Sequence, residues 1–220
     1  MPSPLEMDLA ALDLDTDVEA AAVGLQRGPR QPAFALPGNR FLRKTATAAD
    51  RRGIKQFIRP ENALALIPHL PMSAEDRTHA VLRGDFVLCD IVPAIIGARG
   101  HCPHLRIATL GMSLANADAL ACLVESGSVH RLTLLVSLYF AKVDAATVFR
   151  AVAARLEKIA HLVVARNHAK VICLPTTAGD RFVVEGSANL RSSDNVEQIA
   201  VTNDAATHDF HTSWIDALAP

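Results

Sequence analysis

The stretch HLVVARNHAKVICLPTTAGDRFVVEGSANLRSSDNVEQIAVTND, residues 161–204, decides how this chain folds. Runs rich in Val, Ile and Leu at 161–165, 168–174, 181–185 and 196–202 read as strands, since β-branched side chains pack well on a pleated surface. Between the second and third runs, Pro175-Thr-Thr-Ala-Gly179 reads as a turn, so the two runs form a hairpin. His168 and Lys170 are two residues apart, and on a strand such side chains share a face. Ser187 and Asn189 repeat that spacing after the return strand, and Gly186 before them allows close backbone approach. With the turn at 175–179, imidazole, ammonium, hydroxyl and amide converge at one end of the hairpin. That set of groups suits an anionic, tetrahedral ligand.

Upstream, the pattern alternates. Residues 62–70 read as a short helical segment stopped by Pro68 and Pro71, 86–92 as a strand, and 93–98 as a helical turn with Pro93 in its first turn. A strand at 105–110 precedes a helix capped by Ser113 and ending near Gly127. Residues 132–140 form a near-continuous apolar run, as expected of a strand buried on both faces. Asp144 opens an amphipathic helix to 159, with Val148, Val152 and Leu156 at four-residue spacing. A helix over 207–218 closes the chain. Strand–helix units followed by hairpin strands predict an α/β fold, a mixed β-sheet flanked by helices.

Composition agrees. Half of the 220 residues are apolar and a fifth are charged, which excludes a wholly disordered, collagen-like or disulfide-scaffold chain. Cys89, Cys102, Cys122 and Cys173 form no CxxC pair and read as reduced core thiols. His101-Cys-Pro-His104 reads as a loop, because no second cluster stands at zinc spacing. His208 and His211 read as surface histidines on the last helix. The acidic first residues lack the basic start of a signal peptide, and no apolar run reaches the roughly 18 residues of a membrane span. A cytoplasmic protein without stable membrane association is expected.

The net charge of −1 hides an asymmetry. Residues 1–26 hold six acids and no Lys or Arg, whereas residues 27–59 hold nine bases and one acid, a net +8. Residues 1–60 therefore read as an acidic then basic arm, partly disordered, ahead of a domain over 61–220. Arg43, Lys44, Arg51 and Arg52 are candidate phosphate contacts, since each neutralised phosphate releases counterions. Pairing of these bases with the acidic first 26 residues is the plainer alternative.

His168-x-Lys170, Gly186-Ser187-x-Asn189, Arg191-Ser192 and Asn195-x-Glu197 together resemble the HKD motif of the phospholipase D superfamily. The resemblance is specific over 161–204 and compatible with the α/β order back to about residue 84. It implies that His168 attacks phosphorus to give a phosphohistidine, without a metal or other cofactor. It further implies that Lys170 and Asn189 hold the non-bridging oxygens, that Ser187 positions the group, and that Glu197 orients a histidine ring. Arg191 and Asn195 are placed on the substrate side. One departure stands out: Pro175 occupies the place of the motif's Asp, and the nearest acid is Asp180.

The chain carries one such motif, whereas the chemistry needs two histidines. Resemblance to single-motif members therefore implies a homodimer sharing one site on its axis. With the basic arm, it favours a nuclease acting on DNA or RNA. The alternatives are a lipid phosphodiesterase and a nucleic-acid-binding dimer that has lost catalysis.

Overall fold

The strands of the quoted stretch join four others in one sheet. The computed structural model describes residues 53–83, 86–143, 148–191 and 195–219. The strands are β1 (Lys55–Ile58), β2 (Arg77–Leu82), β3 (Leu105–Thr109), β4 (Leu132–Ser137), β5 (His161–Ala165), β6 (Val171–Pro175), β7 (Arg181–Gly186) and β8 (Glu197–Asn203). They lie in the order β1-β2-β8-β7-β6-β3-β4-β5. The β3–β4–β5 wing is parallel, because helices carry the chain back between its strands. The ladder from β3 through β6, β7 and β8 to β2 is antiparallel, and β1 closes the edge parallel to β2. This is the mixed, helix-flanked α/β sheet that the sequence implies.

Alternation along the strands divides the core into two layers. Ile107, Leu134, Ile172, Leu174, Phe182 and Val184 point into the larger layer. There they meet α1 (Ile91–Arg99), α2 (Leu114–Glu125), α4 (Arg150–Leu156) and the 3₁₀ turn Ala63–His69. Ala108, Leu135, Val171, Cys173 and Val183 point the other way, under Ile215 and Trp214 of α5 (Ala205–Leu218). Arg106 of β3 fixes α5 by a paired contact with Asp216 at 2.7 and 2.9 Å. Every residue of β4 is buried, as its unbroken apolar run predicts. No helix among the described residues is long and apolar enough to cross a membrane.

Several expectations are corrected. Residues 86–92 are not a strand: Leu88–Asp90 is a 3₁₀ turn, and Ile91 opens α1. Buried Ile91, Val92, Ile95 and Ile96 recur at helical spacing, and Pro93 suits a first turn. The real strand is β2, whose inward residues Thr78, Ala80 and Leu82 are too small and mixed to announce it. The 132–140 run breaks at Ser137, whose hydroxyl donates to Leu110 O at 2.6 Å and accepts from Phe140 N–H at 2.9 Å. That contact starts α3 (Leu138–Val143). Lys55, counted in the basic arm, stands in β1, while residues 1–52 lie outside the described residues.

The reactive-looking side chains also sort themselves. Cys89, Cys102 and Cys173 are buried and free, with burial pushing each thiol up to about 12, but Cys122 is exposed on the outer side of α2. The His101–His104 segment is a loop. His101 Nδ1 lies 3.1 Å from Gly127 O, and His104 Nε2 lies 2.9 Å from Thr133 Oγ1. Burial, then Arg106 and Arg131, pushes His104 down to about 4. His208 is not a surface residue: it is 4% exposed, because it falls on the inner stripe of α5 with Thr212 and Ile215. His211 is held between Glu185 Oε2 at 3.0 Å and Trp214 Nε1 at 3.2 Å.

Asp180 closes the far end of the β6–β7 hairpin. Its carboxylate accepts from Arg99 at 2.8 and 3.0 Å, Thr176 Oγ1 at 2.9 Å and Asn203 Nδ2 at 2.9 Å. Gly179 makes the preceding turn with φ +94°, a conformation that L side chains rarely adopt. Burial raises the Asp180 carboxyl, yet the donors from Arg99, Thr176 and Asn203 outweigh it and leave the pKa below its ordinary value. A lowered carboxyl stabilises the fold above about pH 4 and loses that contribution as pH falls through its folded value. Asp180→Ala is expected to cost about 2–3 kcal/mol at neutral pH, since it strands a partly buried guanidinium. In thermal melts this is a drop of roughly 5–10 °C at pH 7 that narrows toward pH 3.

Candidate active site

One edge of the sheet gathers the ends of its central strands. β3 and β4 finish there, β6 starts, β7 finishes and β8 starts, as the pairs Ala108 with Val171, Val171 with Glu185 and Gly186 with Ile199 require. Ligands of open α/β sheets bind outside the carboxyl ends of parallel strands, where connections diverge.

His168 and Lys170 stand at this edge in the segment just before β6, not within it. Asn167 is the reason. Its Nδ2 donates to Thr109 O at 3.1 Å and to Leu135 O at 3.3 Å, while its Oδ1 accepts from Ala169 N–H at 2.8 Å. One side chain thus ties the segment across the ends of β3 and β4 and turns His168 outward, where it is exposed. The Lys170 ammonium lies 3.0 Å from His168 Nδ1 and 3.3 Å from Nε2, and donates to His168 O at 2.9 Å. Desolvation lowers the Lys170 pKa, with Glu197 opposing it by attraction. A partly desolvated cation beside an exposed imidazole is a pair able to receive an anion.

The other half of the site comes from β7 and β8. Gly186 is required by close approach: a Cβ there would lie 2.1 Å from Gln198 O and 2.8 Å from Ile199 Cα. The backbones can then pair, with Ser187 N–H donating to Gln198 O at 2.9 Å. The Ser187 hydroxyl donates to Glu197 Oε2 and accepts from Gln198 N–H at 3.0 Å. Within the chain, Glu197 therefore engages the serine and attracts Lys170. Asn189 Oδ1 is buried and accepts no hydrogen bond among the described residues. It borders a small depression with Arg191 and Glu197.

The hairpin thus draws His168 and Lys170 together, and Ser187 and Glu197 together, at one sheet edge. Arg191 and Asn195 are exposed beside that edge, whereas Arg43, Lys44, Arg51 and Arg52 lie outside the described residues. Among the described residues no His, Cys, Asp and Glu side chains group as metal ligands. Two features were not read from the sequence. Asn167 was one, although an Asn that accepts from the backbone two residues on is a recognisable turn former. The other is a cavity of about 550 Å³ beside His168, bordered by Leu110, Leu138, Tyr139, Lys142 and Arg166. Its walls come from the unforeseen break after Ser137.

No protein-family model matches the sequence. No curated protein matches it significantly either. Several solved structures are similar over part of the chain. NucT from Helicobacter pylori is similar at 17% identity and a TM-score of 0.45, over 64% of this chain and 95% of that one. Nuc from Salmonella typhimurium, a phospholipase D family member, is similar at 17% identity and a TM-score of 0.43, over 59% and 86% of the two chains. The archaeal chromatin protein TrmBL2 is similar at 14% identity and a TM-score of 0.39, over 63% of this chain and 50% of that one.

Proposed function

We propose that the chain is a single-motif member of the phospholipase D superfamily, a phosphodiesterase that cleaves nucleic-acid phosphodiester bonds at a site shared by two copies. The observation that carries this reading is the His168–Lys170 contact of 3.0 Å at the strand ends, beside the serine–glutamate pair. The imidazole supplies a nucleophile that needs no activation by metal, and the ammonium supplies charge for a phosphoryl oxygen. Lys170 rests on His168. A bound phosphate gives it a better acceptor and frees the ring.

In this mechanism a ring nitrogen of His168 attacks phosphorus, and a P–N bond forms as the P–O bond to the leaving group breaks. The departing alkoxide takes a proton from the partner's His168. Water then attacks the phosphohistidine, the partner's His168 accepts its proton, and the P–N bond breaks to release the phosphomonoester. Lys170 and Asn189 Nδ2 hold the equatorial oxygens as their charge rises. Glu197, through Ser187 Oγ, keeps the end of β7 against β8 so that Asn189 faces the same phosphate. The basic run at 27–59 supplies phosphate contacts away from the bond that breaks.

His168→Ala is expected to reduce turnover of bis-p-nitrophenyl phosphate in EDTA to background, with circular dichroism and melting temperature unchanged. Lys170→Ala should lose about a hundredfold or more, as for a group acting on the transition state. An acid-stable, alkali-labile difference between trapped phosphoryl-protein from wild type and from His168→Ala would not fit; the trapped species should be acid-labile and absent from the variant. Wild-type activity at the level of His168→Ala, with nucleic-acid binding retained, identifies a binding-only dimer instead.

The shared site has its own consequence. Sedimentation should show a dimer, and exchange of subunits with excess His168→Ala should lower activity with the square of the wild-type fraction. A linear decline would assign a complete site to each chain.

A further inference from the structure

The sheet face that carries α5 is only partly covered by it. The helix packs over β3, β6 and β7, while β8, β2 and β1 continue the same face toward the edge. On that continuation Phe57 of β1 is 76% exposed, and its ring lies on the His79 ring of β2 with centroids 5.4 Å apart and an interplanar angle of 14°. The register pairs Phe57 with His79 and, two residues back, Lys55 with Arg77, so the two cations share the face of the stacked rings. Two cavities of about 350 and about 360 Å³ open along it and have His79 and Gln198 in common. The first reaches Phe57 and Arg59, and the second reaches Lys170 and Gly186. A groove therefore crosses four strand spacings, about 19 Å, from the sheet edge to the site.

Its chemistry is mixed in a specific way. A large aromatic ring left in water is flanked by Lys55, Arg59 and Arg77; the Thr207 donors and, more weakly, Ala206 N–H and Arg77 hold the Asp204 carboxyl below its usual range. Among the described residues lining the two cavities Glu185 is the carboxylate, and His211 engages it at 3.0 Å. In the sequence, the net +8 of residues 27–59 runs directly into this strand. Exposed aromatic faces with neighbouring cations bind unpaired bases, because every base offers a π-face and the cations follow its phosphates. A duplex keeps those faces stacked inside and has nothing to lay on Phe57.

We propose that this face is a stacking platform for single-stranded nucleic acid. An unpaired base lies on the Phe57–His79 stack, its backbone follows Arg59 and Lys55, and the strand passes over Gln198 toward Lys170. Delivery to Lys170 rests on the phosphodiesterase reading; the platform itself does not.

The test uses the full chain carrying His168→Ala, so that bound strands survive, with fluorescence anisotropy of labelled oligothymidylate, oligouridylate and a blunt DNA duplex in EDTA. Adding Phe57→Ala should weaken both single strands by about tenfold or more while shifting the duplex by less than about twofold. The relative affinities of the two single strands then distinguish DNA from RNA as the favoured source of the same stacking chemistry. Phe57→Trp should keep the affinity, and its added fluorescence should be quenched on binding. In otherwise wild-type protein, Phe57→Ala should leave turnover of bis-p-nitrophenyl phosphate unchanged. Equal losses for duplex and single strands, or an unquenched Phe57→Trp, would overturn the platform. So would unchanged affinity with an altered oligomeric state or melting temperature, which would mean that a second copy or residues 1–52 cover the ring. Absence of any diester turnover, with the Phe57 effect intact, removes the enzyme reading and leaves the platform standing.

Discussion

The backbone carbonyls of Thr109 and Leu135, at the ends of two parallel strands, are both taken up by one amide. Asn167 gives Nδ2 to each and accepts from Ala169 N–H with its oxygen. A buried carbonyl without a donor costs about 1–3 kcal/mol, so this residue satisfies the edge of the sheet and fixes the segment behind it. That segment is the one holding His168 and Lys170. The His168–Lys170 pair is consequently tied to the parallel wing, although it lies outside any strand.

Charge then divides between the two halves of the site. Lys170 brings a cation whose desolvation lowers its pKa, and Glu197 answers it from β8. Glu197 is itself occupied by the Ser187 hydroxyl. Among the described residues, that attraction acts on Lys170 at a distance rather than through an ion pair. A lysine held this way keeps its charge available to a ligand, while the carboxylate is turned to the architecture of β7 and β8.

Legibility followed the strength of the local pattern. β4, β5 and β7 are plain from their apolar runs, Leu134–Val136, Leu162–Ala165 and Phe182–Val184, although β5 at the sheet edge is only half-buried. The helix after Ser113 was plain because the cap is chemical: Ser113 Oγ accepts from Asn116 N–H at 3.2 Å. β2 was not, since Thr78 and Ala80 fill its inward positions with little apolar area. The strand assigned to 86–92 failed because a β-branched run with Pro93 fits the buried face of a short helix equally well. In the site, the polar pairs at 168–170 and 187–189 are visible by spacing, and the Lys170 Nζ to His168 Nδ1 contact of 3.0 Å puts the first pair on a shared side although it precedes β6. Asn167 and Tyr139 were not visible, because what gives them meaning is the long-range meeting of β3, β4 and the loop before β6.

The acid of the hairpin, Asp180, closes the end opposite the polar groups. What sets His168 and Lys170 against Ser187 is the β6–β7 register, from Val171 with Glu185 to Pro175 with Arg181, together with Gly186 N–H donating to Lys170 O at 3.3 Å. Turn length matters to that register only through how the turn is closed. Here Thr176 N–H donates to Asp180 O at 3.1 Å, and the Asp180 side chain gathers Arg99, Thr176 and Asn203 around the closure. Those contacts lie about 20 Å along the chain from Lys170, at the opposite end of the hairpin. The turn at 176–180 thus holds the pairing from the far end, while Asn167 and the Gly186 N–H to Lys170 O bond hold the edge that carries the imidazole and the ammonium.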